Sequence, residues 1–385
     1  MQPVEPLSLR WVSSVEAIPS DLWDACFPPP LEGRWWYRAL ERSRLEAQFT
    51  FAYAILERGA RPVGIAPTFL MDVPIDLVAP PAIATILRVA GAVLPRLRYQ
   101  RTLFVGSPCS DEGTIGLRPG IALADVAPLL HDALTVRARQ AGAPMIVWKD
   151  FPDTLSAALD PLCASRGLFK LASYPGTRLS VPTGGFDAYL QALTSSHRHN
   201  LRKKLRRSKE LGALQATLLQ HPSPALLEEI FPLFLQTYAK GKTKFEHLTP
   251  KFFELIAAED TSYFVLLRNQ QTGKLVAFML CFRIGSRVIN KFIGLDYALS
   301  GQWFLYFRLL EQAISWASAV GATDFQSGQT GYRAKLDLEH RLVPLTNYCQ
   351  HRHPWLHRLF ATVATRITWA TLDNDLAQQP FPTSH

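Results

Sequence analysis

The run Ser327-Gly328-Gln329-Thr330-Gly331-Tyr332-Arg333-Ala334-Lys335 sets polar side chains around two glycines, directly after the short stretch Asp324 to Ser327. Gln329, Tyr332 and Lys335 bring an amide, a phenol and an ammonium close together in the chain. Such groups can orient an acyl carbonyl, protonate a leaving group or clamp a phosphate. The same run also reads as a loop whose tyrosine and lysine only pack.

A second group of candidates is basic. Seven of the twelve residues from Arg198 to Lys209 are Lys or Arg. On a helix, Arg198, Arg202, Arg206 and Lys209 form one stripe beside a narrow apolar edge of Leu201 and Leu205. Lys203, Lys204 and Arg207 cover the far side. Like charges one turn apart destabilise an isolated helix by a few tenths of a kcal/mol per pair, so water, counterions or a polyanion must offset them. The two readings are a solvated basic face and a dock for a phosphate-rich carrier: the coenzyme A diphosphate, a tRNA backbone or a lipid diphosphate.

A third segment runs from Asn290-Lys291 through Gly294 and Tyr297 to Gly301-Gln302 and a helix expected from Trp303. A strand feeding a helix N-terminus suits an anion, which makes Asn290, Lys291, Gly301 and Gln302 candidate donor contacts. An ordinary strand-to-helix connection fits equally, since Gly301 is the lone glycine between Tyr297 and Trp303. Lys240, Lys242 and Lys244 form either a further phosphate contact or a soluble loop.

The elements that position these groups follow from periodicity. In the first half, strands are expected at Leu7 to Val12, Phe49 to Glu57 and Pro62 to Met71, the last two joined by a turn at Arg58-Gly59-Ala60-Arg61. Helices follow at Val126 to Ala141, with Asp125 as N-cap, and at Leu155 to Ser165, ended by Gly167. In the second half the basic helix (Asn200 to Leu211) precedes a strand at Leu214 to Leu219 and helices at Pro224 to Ala239 and Pro250 to Ala258. A meander of Tyr263 to Arg268, Leu275 to Arg283 and Arg287 to Leu295 comes next, then a loop, a helix from Trp303 to Ala319 and the strand ending at Ser327.

The chain has 385 residues, enough for two domains, and its 48% hydrophobic content excludes a disordered or fibrous protein. The formal charge of +9 favours anionic partners without choosing among them. Five cysteines without CxxC spacing argue against a disulfide framework or a cysteine zinc site and suit a reducing compartment. The N-terminal residues do not read as a secretory signal, so a cytoplasmic protein is expected. The apolar window from Leu77 to Leu97 holds three prolines and two arginines. It reads as a buried helix, or as a greasy flap over a lipid-like substrate or a membrane surface. His351, His353 and His357 read as a basic surface cluster with no metal expected. Cys109 near Asp111 and Glu112 is a remote candidate nucleophile.

INKFIGLDYALS, the helix WFLYFRLLEQAISWASAVGATDF and SGQTGYRAKL together resemble FemAB-like GNAT acyltransferases, a group that includes acetyltransferase-like proteins of exopolysaccharide and cellulose clusters. SSHRHNLRKKLRRSKELG is similar to the basic helix opening the second half of such proteins, and EGRWWYRALERSRLEAQFTFAYAILERGARPVGIAPTFL to their first domain. The resemblance implies an α/β (α+β) fold of two tandem GNAT-like domains, each a mixed, largely antiparallel sheet flanked by helices. The expected boundaries are residues 1–170, 171–350 with the site, and a C-terminal helix and tail at 351–385.

It also implies acyl transfer to an amine or hydroxyl of a small-molecule or glycan acceptor. The donor is expected to be acyl-CoA as co-substrate, with no tightly bound cofactor; the alternative donor is aminoacyl-tRNA. In this reading Tyr332, Lys335 and Gln329 are catalytic, and Arg198, Arg202, Lys203, Arg206, Asn290, Lys291, Gly301 and Gln302 hold the donor. The second half, where the site is expected, lacks the R-x-x-G-x-G/A pyrophosphate loop of simple acetyltransferases. That absence supports a reading from another class, a non-catalytic scaffold binding a polyanion or a glycan. Peripheral membrane contact is possible on charge and apolar content; DNA binding is not expected.

Overall fold

A computed structural model describes residues 5–74, 99–212, 214–241 and 247–381. The expected flap at Leu77 to Leu97 and residues Lys242 and Lys244 lie outside the described residues. The strands are β1 Leu7–Val12, β2 Thr50–Arg58, β3 Arg61–Pro74, β4 Tyr99–Val105, β5 Gly116–Leu117, β6 Met145–Pro152, β7 Phe169–Ala172, β8 Gly176–Ser180, β9 Leu214–Leu219, β10 Ser262–Asn269, β11 Leu275–Ile284, β12 Arg287–Leu295, β13 Asp324–Ser327, β14 Arg341–Val343 and β15 Leu345–His351. The helices are α1 Ser20–Cys26, α2 Arg34–Arg42, α3 Leu123–Gln140, α4 Ser156–Arg166, α5 Gly185–Ala192, α6 Ser195–Leu211, α7 Pro224–Lys240, α8 Pro250–Ala257, α9 Tyr297–Trp303, α10 Leu305–Ala319, α11 Tyr332–Leu336, α12 Pro354–Ala364 and α13 Trp369–Leu372.

The chain forms two compact units. One holds residues 1–28, 45–175 and 344–385; the other holds 29–44 and 176–343. In the first, the strand order is β1-β2-β3-β4-β6-β15-β7, with β5 on β3. All neighbours are antiparallel except β4 and β6. Helix α3 packs Val126, Leu130 and Leu134 into a core with Trp148 and Phe151. In the second unit the order is β14-β8-β13-β12-β11-β10-β9, and β12 and β13 are its parallel pair. The central strand β11 is apolar almost throughout and buried on both faces, whereas the edge strand β9 alternates in exposure.

Read from opposite ends, the two orders are the same wiring: a four-strand antiparallel run, a parallel fifth strand, a sixth, then a seventh. The sixth strand is the informative one. In the first sheet it is β15, which comes from outside the unit's main stretch of chain; in the second it is β8, the first strand of the unit's own stretch 176–343. A division at 170 and 350 therefore differs from the observed units, because residues 345–351 complete the first sheet and residues 29–44 belong to the second unit. Strand alternation marks β15 as a strand but carries no information about its partner.

Two further expectations are corrected. The basic helix begins at Ser195, five residues before Asn200. The expected loop around Gly301 and Gln302 is instead the helix α9, separated from α10 by Phe304 in left-handed backbone at φ 52° and ψ 42°. Asp296 caps α9 by accepting from the Ala298 N–H at 3.1 Å, a capping signal overlooked in the sequence. Among the described residues, no helix is long and apolar enough to cross a membrane.

Gly294 shows how tightly α7 is set against β12. A Cβ there would lie 2.3 Å from the Phe278 ring and 2.6 Å from the Leu233 backbone carbon. The backbone of α7 cannot move aside as a side-chain tip can. Gly294→Ala is expected to lower unfolding free energy by about 1–3 kcal/mol, the range for overpacking a tight core, measured by urea denaturation.

Candidate functional site

The site forms where two parallel strands part. β12 and β13 pair from Arg287↔Asp324 to Asn290↔Ser327. Beyond that point β12 continues to Leu295, while β13 gives way to the loop starting at Gly328. At the same place β12 carries a bulge: Cys281 opposes Asn290 and Leu280 opposes Phe292, which leaves Lys291 as the extra residue. Residues 291–293 are half-buried after three fully buried ones, so the strand opens at the fork. For Lys291 the open part is backbone, since its side chain is only 1% exposed.

Buried polar atoms converge on this fork. Asn290, Ser327 and Thr177 are register partners and share a face with Phe325 and Leu179. Among the described residues, Asn290 Oδ1 and Ser327 Oγ are buried on that face without a hydrogen-bond partner. Such groups are rare in native interiors and carry a desolvation cost, so their clustering marks a place that a ligand's polar atoms can complete. His340 stacks edge-on near Phe325, with ring centroids 6.5 Å apart, and both its ring nitrogens also lack partners. Burial, with the Lys335 charge adding, lowers its pKa to about 3, so the imidazole is neutral.

The loop after β13 holds the three residues proposed from sequence. Lys335 is 5% exposed, and its ammonium donates to the Gly328 carbonyl, tying the loop's end to its start. Tyr332 has no exposed surface; the Lys335 Nζ lies 5.9 Å from its ring centre. Direct proton exchange between Tyr332 and a substrate therefore needs this loop to open. Gln329 sits half-buried at the turn. α11 is a single short helical turn, so Tyr332 and Lys335 sit on a tight element close to the fork.

The basic helix α6 packs beside the start of α10. Leu201 and Leu205 are buried, and Ser208 Oγ donates to the Trp303 carbonyl at 2.6 Å. Several of its cations have protein partners. Arg198 caps the end of α5 by donating to the Gln191 carbonyl at 3.0 Å. Lys204 meets Asp337 at 3.3 Å and lies over the Phe307 ring at 4.0 Å, Arg206 meets Glu210 at 3.7 Å, and Lys209 meets Glu311 at 3.4 Å. Among the described residues, Arg202, Lys203 and Arg207 have no such partner. A polar cavity of about 260 Å³ is lined by Asn200, Lys203, Lys204, Arg207 and Phe304. Phe304 is also the N-cap of α10 and offers no side-chain cap to that helix's first N–H groups.

Topology puts these parts at one end of the sheet. β12 leads up to α9 and α10, and β13 returns parallel to it. The N-terminus of α10 and the C-terminal ends of β12 and β13 thus share one edge, the usual place for ligands in such crossovers. Gly301 and Gln302 are exposed residues within α9. They are not part of a glycine loop.

Lys291 differs most from its expected setting. Its ammonium is 2.9 Å from Glu32 Oε1 and 4.7 Å from the centre of the Trp36 ring, so it does not face solvent as a phosphate contact would. Glu32 and Trp36 come from the 29–44 segment, hundreds of positions away in sequence, and nothing in local spacing could have paired them with Lys291. Lys204 and Arg207 were legible as part of the basic face, and Asn200 and Phe304 were missed because cavity walls have no sequence period. The expected surface cluster is only partly at the surface: His353 is exposed, His357 half-buried and His351 buried. The His351 N–H donates to His357 Nδ1 at 3.3 Å and the His353 N–H to His351 Nδ1 at 3.1 Å, and burial lowers the pKa of both His351 and His357. The cluster is therefore less basic than its composition suggests. Among the described residues, no group of three His, Cys, Asp or Glu is arranged to hold a metal ion. Cys109 is buried.

Two sheets of one wiring, each with a parallel pair at its centre, define a tandem GNAT fold. The solved structure of FemX aligns with a TM-score of 0.59 at 10% identity, covering 91% of this chain and 100% of that one. A tandem GNAT protein from the clavulanic acid biosynthesis pathway aligns with a TM-score of 0.51 at 11% identity, covering 91% and 99%. At such identities the likeness is one of fold. By sequence, residues 182–366 match the FemAB-like family, described as peptidoglycan biosynthesis/recognition. That bears out the resemblance over just under half of the chain, the part carrying the fork, the basic helix and the polar loop. No curated protein matches the chain by sequence.

Two outcomes are expected from these groups. Lys291→Met leaves Glu32 charged and buried, with its carboxylate side only 10% exposed, and should cost about 3–5 kcal/mol of stability, most of it recovered in the Glu32→Gln/Lys291→Met double variant. For His340 the folded pKa lies below the unfolded one, so the unfolded state binds the extra proton. Its stabilising effect is complete above about pH 6.5 and falls by up to about 1.4 kcal/mol per pH unit on acidification toward pH 3. Urea midpoints between pH 7.5 and 5 should show that slope, and His340→Leu should remove its share.

Proposed function

We propose that the protein is a transferase that moves an acyl or aminoacyl group from an activated carrier to an amine or hydroxyl acceptor, using the fork between β12 and β13. The carrying observation is the end of their pairing at Asn290↔Ser327, with the bulge at Lys291 opening backbone beside buried, partnerless polar atoms. Donors fixed in the fold and aimed at a developing oxyanion stabilise the tetrahedral state without reorganising. Here the backbone of residues 291–293 takes that role. The acceptor's lone pair attacks the donor carbonyl, the carbonyl oxygen gains negative charge at the fork, and collapse expels the thiolate or ribose oxygen. Lys335 and Gln329 hold the loop that closes over the fork. When that loop opens, Tyr332 delivers the leaving-group proton and regains one from the acceptor nitrogen or oxygen, so the protons balance.

The donor's phosphates fit the cavity at Asn200, Lys203 and Arg207, next to the open N-terminus of α10. The leading donor in this reading is acyl-CoA. The exposed Arg202 beyond that cavity, without a partner among the described residues, and the FemAB-like match support an aminoacyl-tRNA as the second reading.

Purified protein incubated with acyl-CoA or aminoacyl-tRNA and a panel of amine and hydroxyl acceptors should yield an acylated product by mass spectrometry. Lys203→Ala/Arg207→Ala should raise the donor KM by about tenfold or more with kcat largely kept, as expected when charge-assisted phosphate contacts are lost. Lys335→Ala and Tyr332→Phe should lower kcat instead. Steep loss with added salt and with ribonuclease marks the tRNA donor; insensitivity to ribonuclease marks the CoA donor. Saturable donor binding with no product from either class would assign the protein to binding and refute transfer.

A further inference from the structure

Helix α12, Pro354–Ala364, lies in the first unit and carries no residue of the fork, the polar loop or the basic helix. It follows β15 and packs on β7 and β15. Its inner face is short of cover: Ala364 alone is fully buried, with Phe360 facing the His351 ring at 5.6 Å and His357 facing Phe169 at 5.1 Å. At 3.6 residues per turn, the apolar residues do not stop at that face. Phe360, Leu356, Val363, Leu359 and Trp355 follow one another round an arc of about 140°. Exposure rises along it, from half-buried Leu356, Leu359 and Val363 to Trp355, which is 67% exposed. No other large hydrophobic residue among those described is as exposed.

Charge on this helix has one sign. From His351 to Leu372 the sequence has no Asp or Glu and three arginines, Arg352, Arg358 and Arg366. All three are exposed, and none has an ion-pair partner among the described residues. An exposed tryptophan at the rim of an apolar arc, flanked by unpaired arginines, matches the chemistry of a bilayer's headgroup boundary. The indole sits there with its ring in the acyl region and its N–H in the polar layer, while guanidinium groups meet anionic lipid. Eleven residues are too few to span a bilayer and enough to lie along it.

We propose that α12 is an interfacial anchor that docks the protein on an anionic lipid surface, with Trp355, Leu359 and Val363 inserted and Arg352, Arg358 and Arg366 against the headgroups. The occupant is the lipid bilayer itself. A soluble protein or a second copy would require an apolar partner face with matching acids, and the uniformly basic flank selects no such shape. The proposal is independent of the transfer reaction, since it uses no residue of the fork or of the basic helix.

The test is co-sedimentation of the full-length protein with vesicles of phosphatidylcholine alone and of phosphatidylcholine with an equal share of phosphatidylglycerol. Binding to the anionic vesicles is expected, with little to the neutral ones. Trp355→Ser/Leu359→Ser keeps every charge and should weaken binding by about tenfold or more through lost apolar burial. Arg358→Glu/Arg366→Glu should do the same through charge, at about fivefold per cation lost near the surface and more for reversal. Unchanged thermal unfolding of both variants establishes that the fold is intact. No binding by the parent protein overturns the proposal. So does full binding by the Trp355→Ser/Leu359→Ser variant, which would assign membrane attraction to charge elsewhere, such as α6. A parent protein that self-associates through this face and becomes monomeric in that variant, without binding vesicles, would assign the face to a second copy.

Discussion

Everything at the candidate site depends on backbone hydrogen bonds that are not made. Sheets normally pair their strands to the end, because an unpaired peptide group buried away from water is costly. β12 and β13 stop pairing at Asn290 and Ser327 although β12 goes on. The bulge at Lys291 turns the strand just there, and the buried Lys291–Glu32 pair under Trp36 fixes the side chain of the extra residue on the closed side. The open side is left to backbone and to the Asn290 and Ser327 side-chain oxygens, which have no partner among the described residues. A site of this kind is built from absences in the ladder and needs few charged groups of its own.

The supporting structure explains why the absence persists. α7 presses on Gly294 so closely that β12 cannot slide to close the gap, and β13 is held on its other side by β8. β15 completes the first sheet from outside the main run of its unit, and β8 takes the same place in the second from the start of that unit's own run. The basic helix adds the long-range field. Its apolar edge and Ser208 fix it to the start of α10, while Lys203 and Arg207 line a polar cavity of about 260 Å³.

Much of this was readable from residue order. The meander β10-β11-β12, the strand β13 and the strand β9 fall within a residue or two of their expected places, because β9 leaves a period of two and the buried β11 an apolar run bounded by turn residues. The basic helix was legible as charge, and the polar loop as glycine with polar groups. The wiring of β15 and β8 was not, since pairing across the chain leaves no local trace. Glu32 was hidden for the same reason: a carboxylate in a tryptophan-rich stretch reads as surface until Lys291 is seen beside it. The α9 break escaped because Phe304 takes a left-handed backbone that its type does not advertise. Tyr332 was visible as a phenol near a cleft, but its complete enclosure depends on packing that no spacing reveals.

The central claim is that the opened backbone at residues 291–293 receives the reacting carbonyl. Hydrogen–deuterium exchange, followed peptide by peptide with and without a saturating, non-transferable acyl-donor analogue, tests it most directly. The account predicts slower exchange over 290–293 and at the start of α10, with the edge strand β9 unaffected. Saturating occupancy that leaves 290–293 exchanging at its free rate would contradict it.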